Sequence, residues 1–378
     1  MDEALARPPV VLVIGGTGVF GRLIVADLLT HTTHSVAVAS RHGVAPRGWL
    51  PGSEGRLASY RLDARHEHAI RSAIERSQTR VVVHAAGPYA LIGDAPVRAA
   101  LGAGIPYVDM CPRSDFFTAL HDRYDTTARA AGIACIVGAS TAGGLTGLLT
   151  KRARQRLRRI DRVRSSLCVH NFNWGAGVAG DYLLSARRTL PHGRVGGSPQ
   201  RVEFPGLGRR TVRLADTLDY VDPAPDAVRD AAYRIGLPNA LPELGLRIAL
   251  DVTRLGVPLW RVARPLGMFA GLLGGSYTEG GLLHQAYGEG AEGRGVLETH
   301  IHRAFGNVRN PSLLCALAAD RLARGQISMT GVIHPASWLA PDELIQALTA
   351  RAVTVRDRFL PEGLAPGKYA QVRWEDAK

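Results

Sequence analysis

Three glycines, Gly16, Gly18 and Gly21, stand in G-x-G-x-x-G spacing within Gly15, Gly16, Thr17, Gly18, Val19, Phe20 and Gly21. That spacing suits a strand turning sharply into a helix whose first N–H groups face a pyrophosphate. Gly16 is expected to allow the tight turn, Gly18 to bring backbone close to a phosphate, and Gly21 to seat the helix against the strand. A tight strand–helix turn without a ligand is the alternative. About 20 residues further on, NAD-binding sheets place an acid for the ribose hydroxyl. This chain instead reads Ser40, Arg41 and His42. These are donors, and an arginine fork suits a 2′-phosphate better than a hydroxyl. The expected cofactor is therefore NADP(H); a solvated arginine at a strand end is the alternative for Arg41. Asp63 is a candidate for the adenine amino group or a helix cap. Ala85, Ala86, Gly87 and Pro88 are small residues where backbone can pass close to a flat ligand, and Tyr89 follows them.

Val10 to Ile14 is an apolar, β-branched run, read as a buried strand, and residues 23–29 continue as a helix. Strands are expected at 34–40, 57–63, 81–84, 105–109 and 133–137, with helices at 67–78, 95–103 and 115–131. Such alternation marks a parallel sheet. The expected fold class is α/β, a Rossmann-type doubly wound sheet plus a second α/β domain with a mixed sheet. The expected domains are 1–161, 162–340, and a C-terminal segment 341–378 returning to the first. In the second domain a helix is expected at 145–157, with the basic run 152–164 as a solvated helix face. A strand at 163–168 leads into His170, Asn171, Asn173 and Trp174, a polar and aromatic loop ahead of a helix at 181–190. Residues 191–210 suggest a hairpin or lid. The apolar stretch 243–270, with arginines at intervals, suggests a core or dimer face, hence a possible homodimer. Residues 287–295 read as a glycine-rich loop, and 296–302 as a strand with His300 and His302 on one face. No carboxylate cluster accompanies that pair, so no metal site is expected. A helix at 311–324, a loop at 329–338, a helix at 341–350 and a strand at 353–357 complete the chain.

Length and composition bound the function. The 378 residues suit two domains. Net charge is +13, and lysine occurs only at 151, 368 and 378, so arginine carries the basicity. No aromatic-interleaved basic stretch accompanies it, which argues against nucleic acid. Cys111, Cys135, Cys168 and Cys315 form no C-x-x-C pair, so neither zinc nor disulfides are suggested and a cytoplasmic setting fits. The first residues lack the apolar core of a signal peptide, and no run is apolar enough to span a membrane. The partner expected is a small-molecule substrate.

The segments Val82 to Tyr89, Pro96 to Ala100, Ala103 to Asp109 and Ala130 to Ala139 together resemble the saccharopine dehydrogenase-like oxidoreductase family. The resemblance is strongest over 9–150 and collinear to about residue 358. It implies an NADP-linked Rossmann domain followed by an α/β substrate domain. The family includes saccharopine reductases, acting on an imine between an amino acid and a carbonyl, and trans-acting enoyl reductases. Two departures bear on the substrate. Pro112-Arg113 replaces a Gly-Glu pair, and Gly138 to Gly144 lacks an aspartate. The glycine turn also resembles short-chain dehydrogenases, but no Tyr-x-x-x-Lys exists: Gly147, Leu364 and Trp374 stand four residues before the lysines. No G-x-S-x-G elbow supports acyl hydrolysis. Tyr89, Cys111 and His170 are the candidate proton donors. Tyr89, Arg113, Asn171, Asn173 and Trp174 are the candidate substrate contacts. Three functions remain open: reduction of a C=N bond of an amino-acid-derived substrate (or its reverse), reduction of a C=C bond on a lipid or polyketide chain, and non-catalytic NADP(H) binding.

Overall fold

The computed structural model describes residues 10–43, 55–169, 175–236, 240–257, 280–303, 309–364 and 371–377. They divide into two units. One comprises 1–111, 115–140 and 309–338; the other comprises 112–114, 141–308 and 339–378.

The first unit is a seven-stranded sheet. Its strands are β1 (Val10–Ile14), β2 (Ser35–Ser40), β3 (Leu57–Arg61), β4 (Thr79–His84), β5 (Tyr107–Asp109), β6 (Ala134–Ile136) and, far along the chain, β15 (Gly331–Ile333). The order is β15-β6-β5-β4-β1-β2-β3, and every pairing is parallel. Helices α1 (Val19–His31), α2 (Glu67–Ser77), α3 (Tyr89–Ile92), α4 (Ala95–Gly102) and α5 (Ser114–Ala130) alternate with the strands. Val11, Leu12 and Val13 are fully buried, as a β-branched run covered on both faces must be. Strand order reverses between β1 and β4, the switch point where doubly wound sheets take ligands.

The second unit is an eight-stranded mixed sheet. It holds β7 (Leu157–Cys168), β10 (Gln200–Phe204), β11 (Gly208–Ala215), β12 (Ala231–Gly236), β13 (Gly280–Gly290), β14 (Gly293–Arg303), β16 (Thr354–Pro361) and β17 (Glu375–Asp376), in the order β10-β11-β12-β7-β13-β14-β16-β17. Only β12 with β7 is parallel. A two-stranded ribbon, β8 (Thr189–Leu190) with β9 (Gly193–Arg194), lies apart from that sheet. Helices α6 (Thr146–Ala153), α7 (Gly175–Leu184) and α8 (Ala240–Arg254) belong here, as does Pro341–Thr349. Leu157, Val163, Ala231, Ala286, Leu297 and Phe359 meet in one core cluster of this unit.

Several expectations are corrected. The first domain does not run to 161: the chain passes into the second unit after Ser140. The returning segment is 309–338, not 341–378. The cause is β15, which sits inside the expected loop 329–338 and extends the sheet by pairing with β6. Three strand residues in a glycine- and proline-rich setting carry too little periodicity to be read. The basic run 152–164 lies mostly on β7, a strand of 12 residues, rather than on a helix. The helix expected at 181–190 is α7, ending at Leu184. The glycine-rich loop expected at 287–295 is the meeting of β13 and β14. Gly288 and Gly290 serve close backbone approach: a Cβ on Gly288 would lie 1.9 Å from the Arg159 carbonyl oxygen, and one on Gly290 2.2 Å from that of Arg156. The His300 and His302 rings do share a face, with centroids 5.9 Å apart. Among the described residues no helix is long and apolar enough to cross a membrane.

Candidate functional site

At the carboxyl edge of the parallel sheet three chain segments gather around the switch point. The Gly15 N–H donates to the Ala39 carbonyl (2.8 Å), and the Ala85 N–H to the Ile14 carbonyl (2.9 Å). The tight turn falls on Gly15 rather than Gly16. Gly15 has φ +81°, and a Cβ there would stand 2.6 Å from the Ala86 nitrogen. Gly16 instead packs against Val38 of β2, and a Cβ on Gly21 would lie 2.1 Å from the Gly15 carbonyl oxygen. Gly15 and Gly21 therefore close the turn on itself. Gly18 is different. It is exposed, and a Cβ there would meet only the Gly15 carbonyl oxygen, at 3.1 Å. Gly18 also caps α1 with no side-chain hydrogen bond and no acidic residue in the first turn. An open, side-chain-free helix start of this kind fits the diphosphate of a dinucleotide.

Beyond β2 the Ser40 hydroxyl accepts from the Gly43 N–H (3.2 Å), and the Arg61 guanidinium donates to the Arg41 carbonyl (3.2 Å). Neutral backbone thus shapes this turn, while the Arg41 and His42 side chains are exposed. Asp63 is already engaged. Its carboxylate takes the Arg65 guanidinium through both oxygens, at 2.6 to 3.1 Å, together with the Arg65 N–H. That pairing holds its carboxyl well below the usual carboxylate range. The residue shapes the turn into α2, and His66, not Asp63, occupies the helix cap.

Behind Ala85–Pro88 lies a buried polar chain. His84 Nδ1 is 3.0 Å from the Tyr107 hydroxyl, which donates to Asp109 Oδ2 at 2.9 Å. Asp109 Oδ1 accepts from the Cys111 N–H (2.9 Å) and the Gly138 N–H (2.8 Å). One carboxylate thereby ties the ends of β5 and β6, and the Tyr107 hydroxyl carries the chain on to β4. Burial pushes the Asp109 carboxyl up to about 7, despite three donors that favour its charge. Burial also holds His84 neutral, down to about 3. Tyr89 is 4% exposed. Its hydroxyl donates to the His84 carbonyl (2.8 Å) and accepts from the Met110 N–H (3.3 Å). Its ring packs on those of His84 and Phe116. The Tyr89 hydrogen expected to serve as an acid is spent on a main-chain carbonyl, and the Cys111 side chain is fully buried.

In the second unit the Arg113 guanidinium lies 3.8 Å from the Asp181 carboxylate, both mostly buried. Next to Arg113, Ser114 donates through its N–H (3.1 Å) and hydroxyl (3.2 Å) to Asp216 Oδ2, an oxygen that also takes Arg188. Tyr220 donates to Asp216 Oδ1, and its own hydroxyl is driven up by burial and by that carboxylate. Asp219 accepts from Thr146 (2.7 Å) and Thr217 (2.5 Å) through Oδ2, while burial raises it to about 6. His170, Asn171, Asn173 and Trp174 lie outside the described residues.

Sequence reasoning missed Asp181, Asp216 and Asp219 and used Asp109 only as part of a motif. Asp109 carried a usable signal, an acid closing an apolar strand at the carboxyl edge. The other three stand in polar segments without periodicity, and only folding brings them to partners 68 to 102 residues away, as Arg113–Asp181 and Ser114–Asp216 illustrate.

The NAD dependent epimerase/dehydratase family matches residues 11–101. That span holds the glycine turn and the first four strands. No curated relative matches the chain. Apo saccharopine dehydrogenase (L-Glu forming) from Saccharomyces cerevisiae is 13% identical, with a TM-score of 0.62 over 93% of this chain and 100% of that one. Amine dehydrogenase from Mycobacterium smegmatis is 10% identical, with a TM-score of 0.47 over 89% and 97%. The yeast likeness shows the fold: a Rossmann-type parallel sheet joined to a mixed-sheet unit. It agrees at that level with the resemblance read from the sequence.

Proposed function

We propose that this chain is an oxidoreductase that binds NADP(H) and transfers hydride to or from a C=N bond of an amino-acid-derived substrate. The observation that carries the reading is the uncapped glycine turn at the switch point, with Ser40, Arg41 and His42 at the end of β2. The family match over 11–101 and the fold likeness to a saccharopine dehydrogenase support it. Gly18 and the start of α1 would hold the diphosphate, and Arg41 and His42 the 2′-phosphate. A nicotinamide, when bound, supplies or accepts the hydride.

The remaining roles fall to this chain's own side chains. Tyr89 is a positioning residue: its two main-chain hydrogen bonds fix the Ala85–Pro88 backbone against β5. The His84–Tyr107–Asp109 chain holds one proton near neutrality beneath that backbone. Arg113, steadied by Asp181, would orient a substrate carboxylate. His170 remains the proposed proton donor, and Asn171, Asn173 and Trp174 the proposed substrate contacts.

The test has two parts. NADPH and NADH binding are measured on the wild type and on Arg41→Ala. The wild type is expected to prefer NADPH, and the variant to lose about tenfold of NADPH affinity while keeping its NADH affinity. NADPH oxidation is then followed with imines formed from amino acids and oxo acids, beside enoyl thioesters. Turnover of enoyl thioesters alone would replace the substrate assignment. NADPH binding without any turnover would make the chain a binding protein.

A further inference from the structure

The second unit contains a cavity of about 650 Å³, formed by the β8–β9 ribbon and the segment after it, by β11 and β12, and by α8. Five arginines line it: Arg194, Arg213, Arg234, Arg247 and Arg254. Among its described lining residues Asp251 is the single carboxylate, and it is paired with Arg254 at 2.8 Å. The cavity lies wholly within one unit, and neither the glycine turn nor the reading built on it contributes to it.

Two features separate this cavity from an ordinary basic surface. The first is how its cations are held. Arg213 donates to the carbonyls of Gly196 and Gly197, the latter at 2.7 Å. Arg254 donates to the Val195 carbonyl at 2.8 Å and to that of Ala186 at 3.3 Å. Carbonyls fix a guanidinium without cancelling its charge. The second feature is Arg234, which is only 8% exposed yet makes no hydrogen bond or ion pair among the described residues. Its charged neighbour is another cation, Arg164, and burial together with that neighbour lowers the Arg234 pKa. A buried cation without a partner is costly, and folds retain one where something else supplies the counter-charge.

We propose that this cavity is a binding site for a small, multiply charged oxyanion, a molecule carrying two or more phosphate or carboxylate groups. Guanidinium forks match both groups in geometry. Five cations against one carboxylate call for several negative charges, more than a single monoanion brings. The volume falls in the range of small-molecule sites, with room for an organic body beside the charged groups.

The experiment is titration of the full chain, by calorimetry and thermal unfolding at low ionic strength, with pyrophosphate, citrate and orthophosphate. The wild type is expected to bind pyrophosphate or citrate more tightly than orthophosphate, with a raised unfolding temperature that falls back as salt is added. Preference for pyrophosphate assigns a phosphorylated ligand and preference for citrate a polycarboxylate; either sustains the site. Arg234→Met is expected to weaken binding about tenfold or more without lowering the ligand-free unfolding temperature, because it removes an unpaired buried charge. Arg247→Ala, on the exposed side of α8, weakens binding in the same direction and serves should Arg234→Met not fold. Gly18→Val is expected to leave the response intact. The proposal is overturned if the wild type binds neither polyanion, or if Gly18→Val loses the response while the arginine variants keep it, which would place the anion on the glycine turn. Loss of NADPH binding in Gly18→Val, with anion binding retained, bears on the oxidoreductase reading alone.

Discussion

Gly15 and Gly93 both adopt positive φ, +81° and +71°, but they answer to different constraints. A Cβ on Gly93 meets nothing within 4 Å, whereas one on Gly15 strikes the β4 backbone. Gly93→Ala is expected to cost about 2 kcal/mol, the backbone penalty alone, because φ +71° with ψ −149° is a glycine-only conformation. Gly15→Ala should cost about 3 kcal/mol or more, because the strand ends must also part. Denaturant unfolding of the two variants measures the difference. Two buried groups set opposite pH dependences. His284, held by Ser165 at 2.8 Å, is lowered by burial to about 3. Between that value and an unfolded value of about 6.5, the unfolded chain binds a proton that the native chain does not. Its contribution to stability is present above about 6.5 and is lost as pH falls toward 3. Asp109, raised to about 7, keeps its proton in the native state where the unfolded chain has lost it. Its contribution is present below an unfolded value of about 3.9 and is lost as pH rises through 7. Relative to wild type, His284→Gln should therefore gain stability as pH falls from 6.5, and Asp109→Asn as pH rises from 4 to 7. Unfolding temperatures across that range check both signs.

Elements whose own residues supply the periodicity were legible in the sequence. β1, β2, β4, α1, α2, α4 and α5 are apolar runs or amphipathic stretches, and they fold where the pattern places them, within a few residues, whereas the single turn α3 was not expected. β15 is the opposite case. It exists because the Gly331 N–H reaches the Ile133 carbonyl (2.8 Å) and because Asp125 of α5 accepts the Val332 N–H (2.8 Å). Neither partner is near it in sequence. Asp125→Ala should leave that N–H without its acceptor and cost about 1–2 kcal/mol. Amide exchange at Val332 and Ile333 is expected to quicken while that of Val11 to Ile14 stays slow. Exchange measured by mass spectrometry or NMR resolves the two groups. The β13–β14 hairpin was misread for a related reason. Gly288 and Gly290, which suggest a loop, are required by the approach of the backbone at Arg156 and Arg159.

At the scale of the whole molecule, the parallel-sheet unit is discontinuous. The helix Arg309–Ala323 packs on α1, burying Leu313, Leu314 and Ala318, and His34 pairs with Asp320 at 2.7 Å. A fragment of residues 1–140 would leave α1 and the β6 edge uncovered. It is expected to lack a cooperative thermal transition, whereas the same fragment joined to 309–338 should recover one; calorimetry distinguishes them. The sequence alone determined the glycine turn, the absence of an acid after β2, and the order of strands through residue 137. Each of those depends on residues adjacent along the chain. The tertiary structure decided the rest: which glycine turns, where Tyr89 spends its hydrogen, where the units divide, and that arginines from β9, β11, β12 and α8 surround one cavity. These are contacts between segments tens to hundreds of residues apart. Local propensity and periodicity carry no information about them, because their free energy arises only when the segments meet.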